Sequence, residues 1–258
     1  MKFKNLTIII AICFLALTVN AQKTDDKSKE LLDNLFKVNG GYKHLASKKD
    51  VEFTYEYRLY GEVKDISLER HIFNGEHSWG RYDFHDHHVL PNRKGVAIQS
   101  LVHGKPSITL DGKKITDKKA IEGTVFLRKV NLYWFAMMYK LQDLGTIYKY
   151  LGTQTIEKTT YHKVSLSYDE SVTKKKFNDE YILYFNPETH LIDEFYFSLP
   201  EMGFNKPTIR MSLEYKLIDG LYVATIRKIY DKKGKVRGHY TTKNIKFNNG
   251  FKAEDFKL

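Results

Sequence analysis

From Val51 onward the apolar residues of this chain recur at every second position, and that period constrains the fold more than any other feature. Phe53, Tyr55, Tyr57 and Leu59 alternate with Thr54, Glu56, Arg58 and Tyr60, the pattern of a half-buried strand. Ile66, Leu68, Arg70 and Ile72 carry it into a second strand, and residues 79–84 and 96–102 supply two more. Residues 146–151, 161–168, 180–186 and 190–199 are rich in aromatic and β-branched side chains, as strands are. Asp111-Gly112 and Asp219-Gly220 read as tight hairpins, because both residue types accept positive φ. Asn186-Pro187-Glu188-Thr189 and Asp231-Lys232-Lys233-Gly234 read as turns. Roughly ten strands at hairpin spacing predict an antiparallel meander.

Two segments keep a helical period. In residues 24–46, Leu31, Leu32, Leu35 and Phe36 recur between charged residues, and Asn39-Gly40-Gly41 supplies the stop. In residues 117–139, Asp117 caps one or two helices carrying Ile121, Val125, Leu132 and Phe135, with Trp134, Met137 and Met138 crowded near the end. The class is mainly β with helices (α+β). No repeat and no Gly/Ser/Pro-rich linker divides the chain, so residues 22–258 are expected to form a single domain.

The first residues stand apart. Lys2 and Lys4 precede an apolar run from Leu6 to Leu17, and Val19-Asn20-Ala21 offers a cleavage site. This is the pattern of a secretory signal peptide (1–21), too short to span a bilayer comfortably. Lipidation at Cys13 competes poorly, because Ile12 stands where a small residue is wanted. Cleavage after Ala21 removes the chain's one cysteine, so the exported product forms no disulfide and depends on its core. Periplasmic location follows as the expectation, with outer-membrane association as the alternative.

The formal charge of +11 falls to +9 without Lys2 and Lys4. Of 42 basic residues only eight are arginine, and the lysines are spread along the chain. Nucleic-acid readers concentrate such charge on one element, so nucleic acid is excluded as a partner. Weak contact with an anionic membrane surface is compatible with this charge.

A large antiparallel sheet must cover its apolar face, and only two helical segments are on hand to do it. The economical solution is a curved sheet, an incomplete barrel, wrapped around the helices with a cleft between. Candidate cleft residues are Phe53, Tyr55, Tyr57, Trp79, Tyr82, Phe195 and Phe197 from strands, with Trp134, Met137 and Met138 from the helix. Core filling is the competing role for each of them, since strand aromatics and helix methionines commonly fill cores.

Several short motifs carry a resemblance. They are Asn39-Gly40-Gly41 before a strand, Leu132-Tyr133-Trp134-Phe135 leading to Leu141-Gln142-Asp143-Leu144-Gly145, residues 181–189, and the closing Phe251-Lys252-Ala253-Glu254-Asp255-Phe256. Together they resemble a family of uncharacterised exported envelope proteins similar to the LolA/LolB lipoprotein-sorting fold. The resemblance implies an eleven-stranded half-barrel closed by helices, with an apolar interior for acyl chains or another lipid-like ligand. No position matches the family's arginine-containing contact site convincingly.

Chemistry-bearing patterns are few. His85-Asp86-His87-His88 could place His85 and His87 on one strand face as metal ligands, needing a third from His71, His77 or His103. No recognised metal spacing accompanies them, and an exposed polar loop is the competing reading. The sequence holds no Gly-x-Ser-x-Gly elbow, phosphate loop or dinucleotide fingerprint, and no cofactor is implied. The leading expectation is a monomeric, non-enzymatic periplasmic protein holding a lipid or lipoprotein acyl chain, with a role in envelope lipid or lipoprotein trafficking. The alternatives are an envelope structural or interaction protein with a filled barrel and, last, a metal-dependent hydrolase using His85 to His88.

Overall fold

A computed structural model describes residues 23–174 and 178–258, so the expected signal peptide and Cys13 lie outside the described residues. The chain begins with β1 (Lys23–Thr24), α1 (Asp26–Val38) and α2 (Tyr42–Ala46). Six strands follow: β2 (Asp50–Leu59), β3 (Glu62–Ile72), β4 (His77–His85), β5 (Ala97–Val102), β6 (Lys105–Leu110) and β7 (Lys113–Lys114). Next come α3 (Lys118–Phe135), α4 (Met137–Lys140), β8 (Thr146–Ile156), β9 (Thr159–Tyr168) and the short α5 (Glu170–Thr173). The chain closes with β10 (Tyr181–Phe185), β11 (Ile192–Leu199), β12 (Phe204–Ile218), β13 (Leu221–Tyr230) and β14 (Val236–Phe247). Short 3₁₀ turns follow β11 and end the chain at Ala253–Phe256.

All described strands join one sheet in the order β1-β8-β9-β10-β11-β12-β13-β14-β2-β3-β4-β5-β6-β7. Neighbours run antiparallel except β1 and β8. The pairing of β14 with β2 joins the two meanders, matching Tyr240 to Tyr57 and Thr242 to Tyr55. The expected meander and α+β class are present. Among the described residues the sheet stays open, with edges at β1 and β7, and has fourteen strands rather than eleven.

Local chemistry explains the helix ends. Asp25 caps α1 by accepting the Ser28 N–H, and it also accepts the Tyr150 N–H of β8, fixing the helix to the sheet. Gly40 and Gly41 take φ of 75° and 85° just past the helix, where a side chain would be strained. Asp117 caps α3 through the Ala120 N–H, and the helical segment breaks at Ala136 into α3 and α4. Among the described residues no helix is long and apolar enough to cross a membrane.

The helices bury their apolar stripes on one face of the sheet. Leu31, Leu32, Leu35 and Phe36 of α1 join Met137, Leu141 and residues of β8 to β13 in the largest core cluster. Leu127 of α3 packs with Tyr82, Ala97 and Ile108. Phe135 stacks on Phe53 at 4.6 Å.

The opposite face carries a second, smaller cluster, and it corrects one sequence expectation. Trp79 lies there with Val102 and Phe256, under the C-terminal segment, and does not face the helices. Trp79 and Tyr82 are three residues apart in β4, so the pleat sends them to opposite faces. The Arg70 guanidinium bridges the Trp79 and Phe251 rings at 4.9 and 5.0 Å. The buried Asp50 carboxylate holds this segment by accepting the N–H groups of Asn249, Gly250 and Phe251.

His71 shows how closely the helix-facing side is packed. It lies beside the stacked Phe53 and Phe135 rings, at ring separations of 5.5 and 6.3 Å, and is fully buried. Burial lowers its pKa to about 3, the nearby Glu69 only partly opposing this. The folded value lies below the unfolded one, so its contribution to stability is present above pH 6.5 and declines as pH falls toward 3. One such proton costs about 1.4 kcal/mol per pH unit in that window. Urea denaturation between pH 7 and 4 should show a shallower acid-side fall for His71→Phe than for the parent chain.

Candidate functional site

A cleft of about 1700 Å³ opens between α3 and the sheet. From β2, β4 and β14 come Tyr55, Tyr57, Tyr82 and Tyr240; from β10 to β13 come Tyr181, Phe197, Ile209 and Ile229. The roof is a stripe of α3, Phe126, Val130, Tyr133 and Trp134, whose spacing of four and then three or four residues keeps them on one helix face. Strands from both meanders therefore border the same helix. Val125, Leu127 and Leu132 add to the apolar wall.

Five sequence candidates, Tyr55, Tyr57, Tyr82, Trp134 and Phe197, line this cleft. Met137 and Met138 do not. With Trp134, they border a separate cavity of about 40 Å³ on the other side of the helix break, so the interior there is nearly filled. Phe53 and Phe195 are buried at 2% and 1% exposure and line neither space. They serve as core, Phe195 beside Tyr181 and Phe53 under Phe135.

Beneath the cleft lies a charged group that periodicity did not reveal. Arg128 of α3 and Glu69 of β3, both without solvent exposure, pair at 2.5 Å. Glu69 also accepts Ser67 Oγ at 2.7 Å and Tyr82 OH at 3.0 Å, with Asn131 Nδ2 at 3.3 Å. Burial pushes the Glu69 carboxyl up, but the Arg128 guanidinium, helped by the Ser67 hydroxyl, outweighs it and holds the carboxyl below its ordinary value. Burial likewise pushes the Tyr55, Tyr82 and Tyr240 hydroxyls up, so they stay protonated. The network fixes the rotation of α3 and hence which stripe roofs the cleft.

Gly80 makes room for that network. A Cβ there would lie 2.2 Å from Arg128 Nη1 and 2.8 Å from Cζ. Gly80→Ala therefore displaces a buried guanidinium from its carboxylate, at an expected cost of about 1–3 kcal/mol by thermal or urea unfolding.

A second buried arginine, Arg227 of β13, donates to the Trp134 carbonyl at 2.8 Å and borders the small cavity. It has no acidic partner among the described residues, and burial lowers its pKa.

The histidine cluster is taken apart by the fold. His85 ends β4, buried, with its Nε2 3.1 Å from the Gly95 carbonyl oxygen. The chain then turns, and His87 and His88 pack on the Tyr57 ring at the cleft edge. Asp65 organises this turn: it accepts the N–H groups of Asp86, His87 and His88 and pairs with His88 Nδ1. His85 and His87 thus do not share a strand face. His71 is in the core, while His77 packs edge-on against His103 at 4.5 Å. Among the described residues no three His, Cys, Asp or Glu side chains converge to hold a metal.

The arrangement is an apolar concavity with tyrosine hydroxyls in its wall and charges at its edge. It can hold a large, mostly apolar molecule.

Comparison with solved structures places the fold. A LolA superfamily protein from Nitrosomonas europaea matches with a TM-score of 0.51 at 11% identity, over 89% of this chain and 97% of that one. A DUF1329 family protein from Desulfovibrio piger matches with a TM-score of 0.50 at 11% identity, over 89% of this chain and 96% of that one. At such identity the likeness is one of fold, and the fold is LolA-like. A search of curated protein sequences returns no match. The profile of DUF6503, described as a family of unknown function, matches residues 5–246, and the chain belongs to that family.

Proposed function

We propose that this protein is a non-enzymatic carrier that holds a lipid or lipoprotein acyl chain in the cleft under α3. The cleft itself carries the reading. Its volume of about 1700 Å³ exceeds the range of roughly 300–1,000 Å³ usual for small-molecule sites. Its walls offer aromatic and aliphatic surface, with no converging metal ligands among the described residues. Burying an acyl chain there is worth about 25 cal/mol for each Å² of apolar area removed from water, less ordering costs.

In this reading the sheet curls as a half-barrel around α3, which is supported by β2 to β4 and β10 to β13 bordering one cleft. The LolA superfamily likeness is compatible with lipoprotein or lipid trafficking in the envelope. Residues 22–258 would act as one periplasmic unit after cleavage following Ala21, as a monomer. The filled-barrel alternative has one observation in its favour, the nearly closed space of about 40 Å³ behind Trp134. Titration with a fluorescent long-chain fatty acid separates the two. Saturable uptake near one ligand per chain supports the carrier, and no uptake supports the filled interior.

A further inference from the structure

We propose that the turn between β11 and β12, together with the turn between β13 and β14, is a docking edge for an anionic phospholipid bilayer. The inference rests on the carrier reading of the cleft and adds where its ligand enters and leaves. Two kinds of side chain meet at this edge. Met202 and Phe204, two residues apart at the β11–β12 tip, are 61% and 45% exposed. Both line the cleft, as do Lys232 from the β13–β14 turn and Arg237 at the start of β14.

The cations nearby are free. Lys206, Lys232, Lys233, Lys235 and Arg237 are all exposed, and none has an acidic side-chain partner among the described residues. The acids close to them in sequence are Glu201 and Asp231, and Asp231 is already occupied by the N–H groups of Lys233 and Lys235. An apolar tip flanked by unpaired cations matches a membrane interface, where apolar side chains enter the acyl boundary and cations meet anionic head groups. Because the tip lines the cleft, docking would place the apolar walls directly against the bilayer. A chain could then move from lipid to protein without crossing water.

The test is co-sedimentation of the exported chain with vesicles of phosphatidylcholine, with and without phosphatidylglycerol. Binding is expected only with phosphatidylglycerol and should weaken with added salt. The charge variant Lys232→Glu/Lys233→Glu/Lys235→Glu and the tip variant Met202→Glu/Phe204→Glu should each lower it by about tenfold or more. All of these residues are exposed, so both variants should keep the parent melting temperature. Equal binding to neutral vesicles, or binding unchanged in both variants, overturns the proposal. Binding that needs the cations but is indifferent to Met202 and Phe204 also overturns it, because the chain then adsorbs by charge alone and no apolar tip enters the bilayer. If the chain binds anionic vesicles yet takes up no fatty acid, the docking edge stands and the carrier reading falls.

Discussion

Replacing Arg128 with methionine is expected to lower the free energy of unfolding by about 3–5 kcal/mol, among the largest losses a single substitution can produce here. The size follows from what is left behind. Glu69 has no solvent exposure, and without the guanidinium it keeps only neutral donors from Ser67, Tyr82 and Asn131. A buried carboxylate lacking its cation costs more than the pair itself contributes, since desolvation is no longer offset. The pH dependence carries a sign that packing loss alone would not. In the parent chain the Glu69 carboxyl is held below its ordinary value, so its contribution is present above the unfolded pKa and is lost as pH falls through the folded one. In Arg128→Met burial is opposed only by those neutral donors and raises that pKa, so the deficit relative to the parent should shrink as pH falls from 7 toward 4. Adding Glu69→Gln should recover part of the loss at neutral pH. Urea denaturation of the three chains across this range checks it. A deficit that is constant with pH would mean that shape, and not charge, holds α3.

The second large effect concerns binding. Val130→Glu places a carboxylate in the roof of the cleft, on a face of α3 that is only half-buried, so the helix should tolerate it. An acyl chain lying beneath would then have to desolvate that charge. The expected result is a fall in fatty-acid affinity of about tenfold or more, or roughly 1.4 kcal/mol and upward. Val130→Ala, which only trims the wall, should change affinity far less. Unfolding by urea should show Val130→Glu near the parent in stability. Parent-like affinity in Val130→Glu would mean that the ligand lies elsewhere.

Much of the fold was legible because its signals are local. The period of two marks β2 and β3, Asp-Gly pairs mark the turns after β6 and β12, and Asp117 marks the start of α3. What was not legible is non-local. Nothing near β14 or β2 announces that they pair, since their partners lie nearly two hundred positions apart in the chain. The site was read in part for the same reason. Tyr55, Tyr57, Tyr82, Trp134 and Phe197 were found because they stand in periodic apolar patterns. Trp79 was misplaced although strand parity with Tyr82 could have separated the two faces. Arg128 and Glu69 were missed because an isolated charge in a periodic segment reads as solvent-facing, and only the folded pair shows otherwise. The α3 stripe of Phe126, Val130 and Tyr133 stands at helical spacing, while Met137 and Met138 lie on the filled side of the helix break.

The most direct test of the account is native mass spectrometry of residues 22–258, purified without detergent from the cells that make them. If the cleft under α3 holds acyl lipid, the spectrum should contain a species heavier than the polypeptide by one lipid mass, and Val130→Glu should reduce it. A parent chain that flies as bare polypeptide, and remains so after incubation with long-chain fatty acid, would contradict the account.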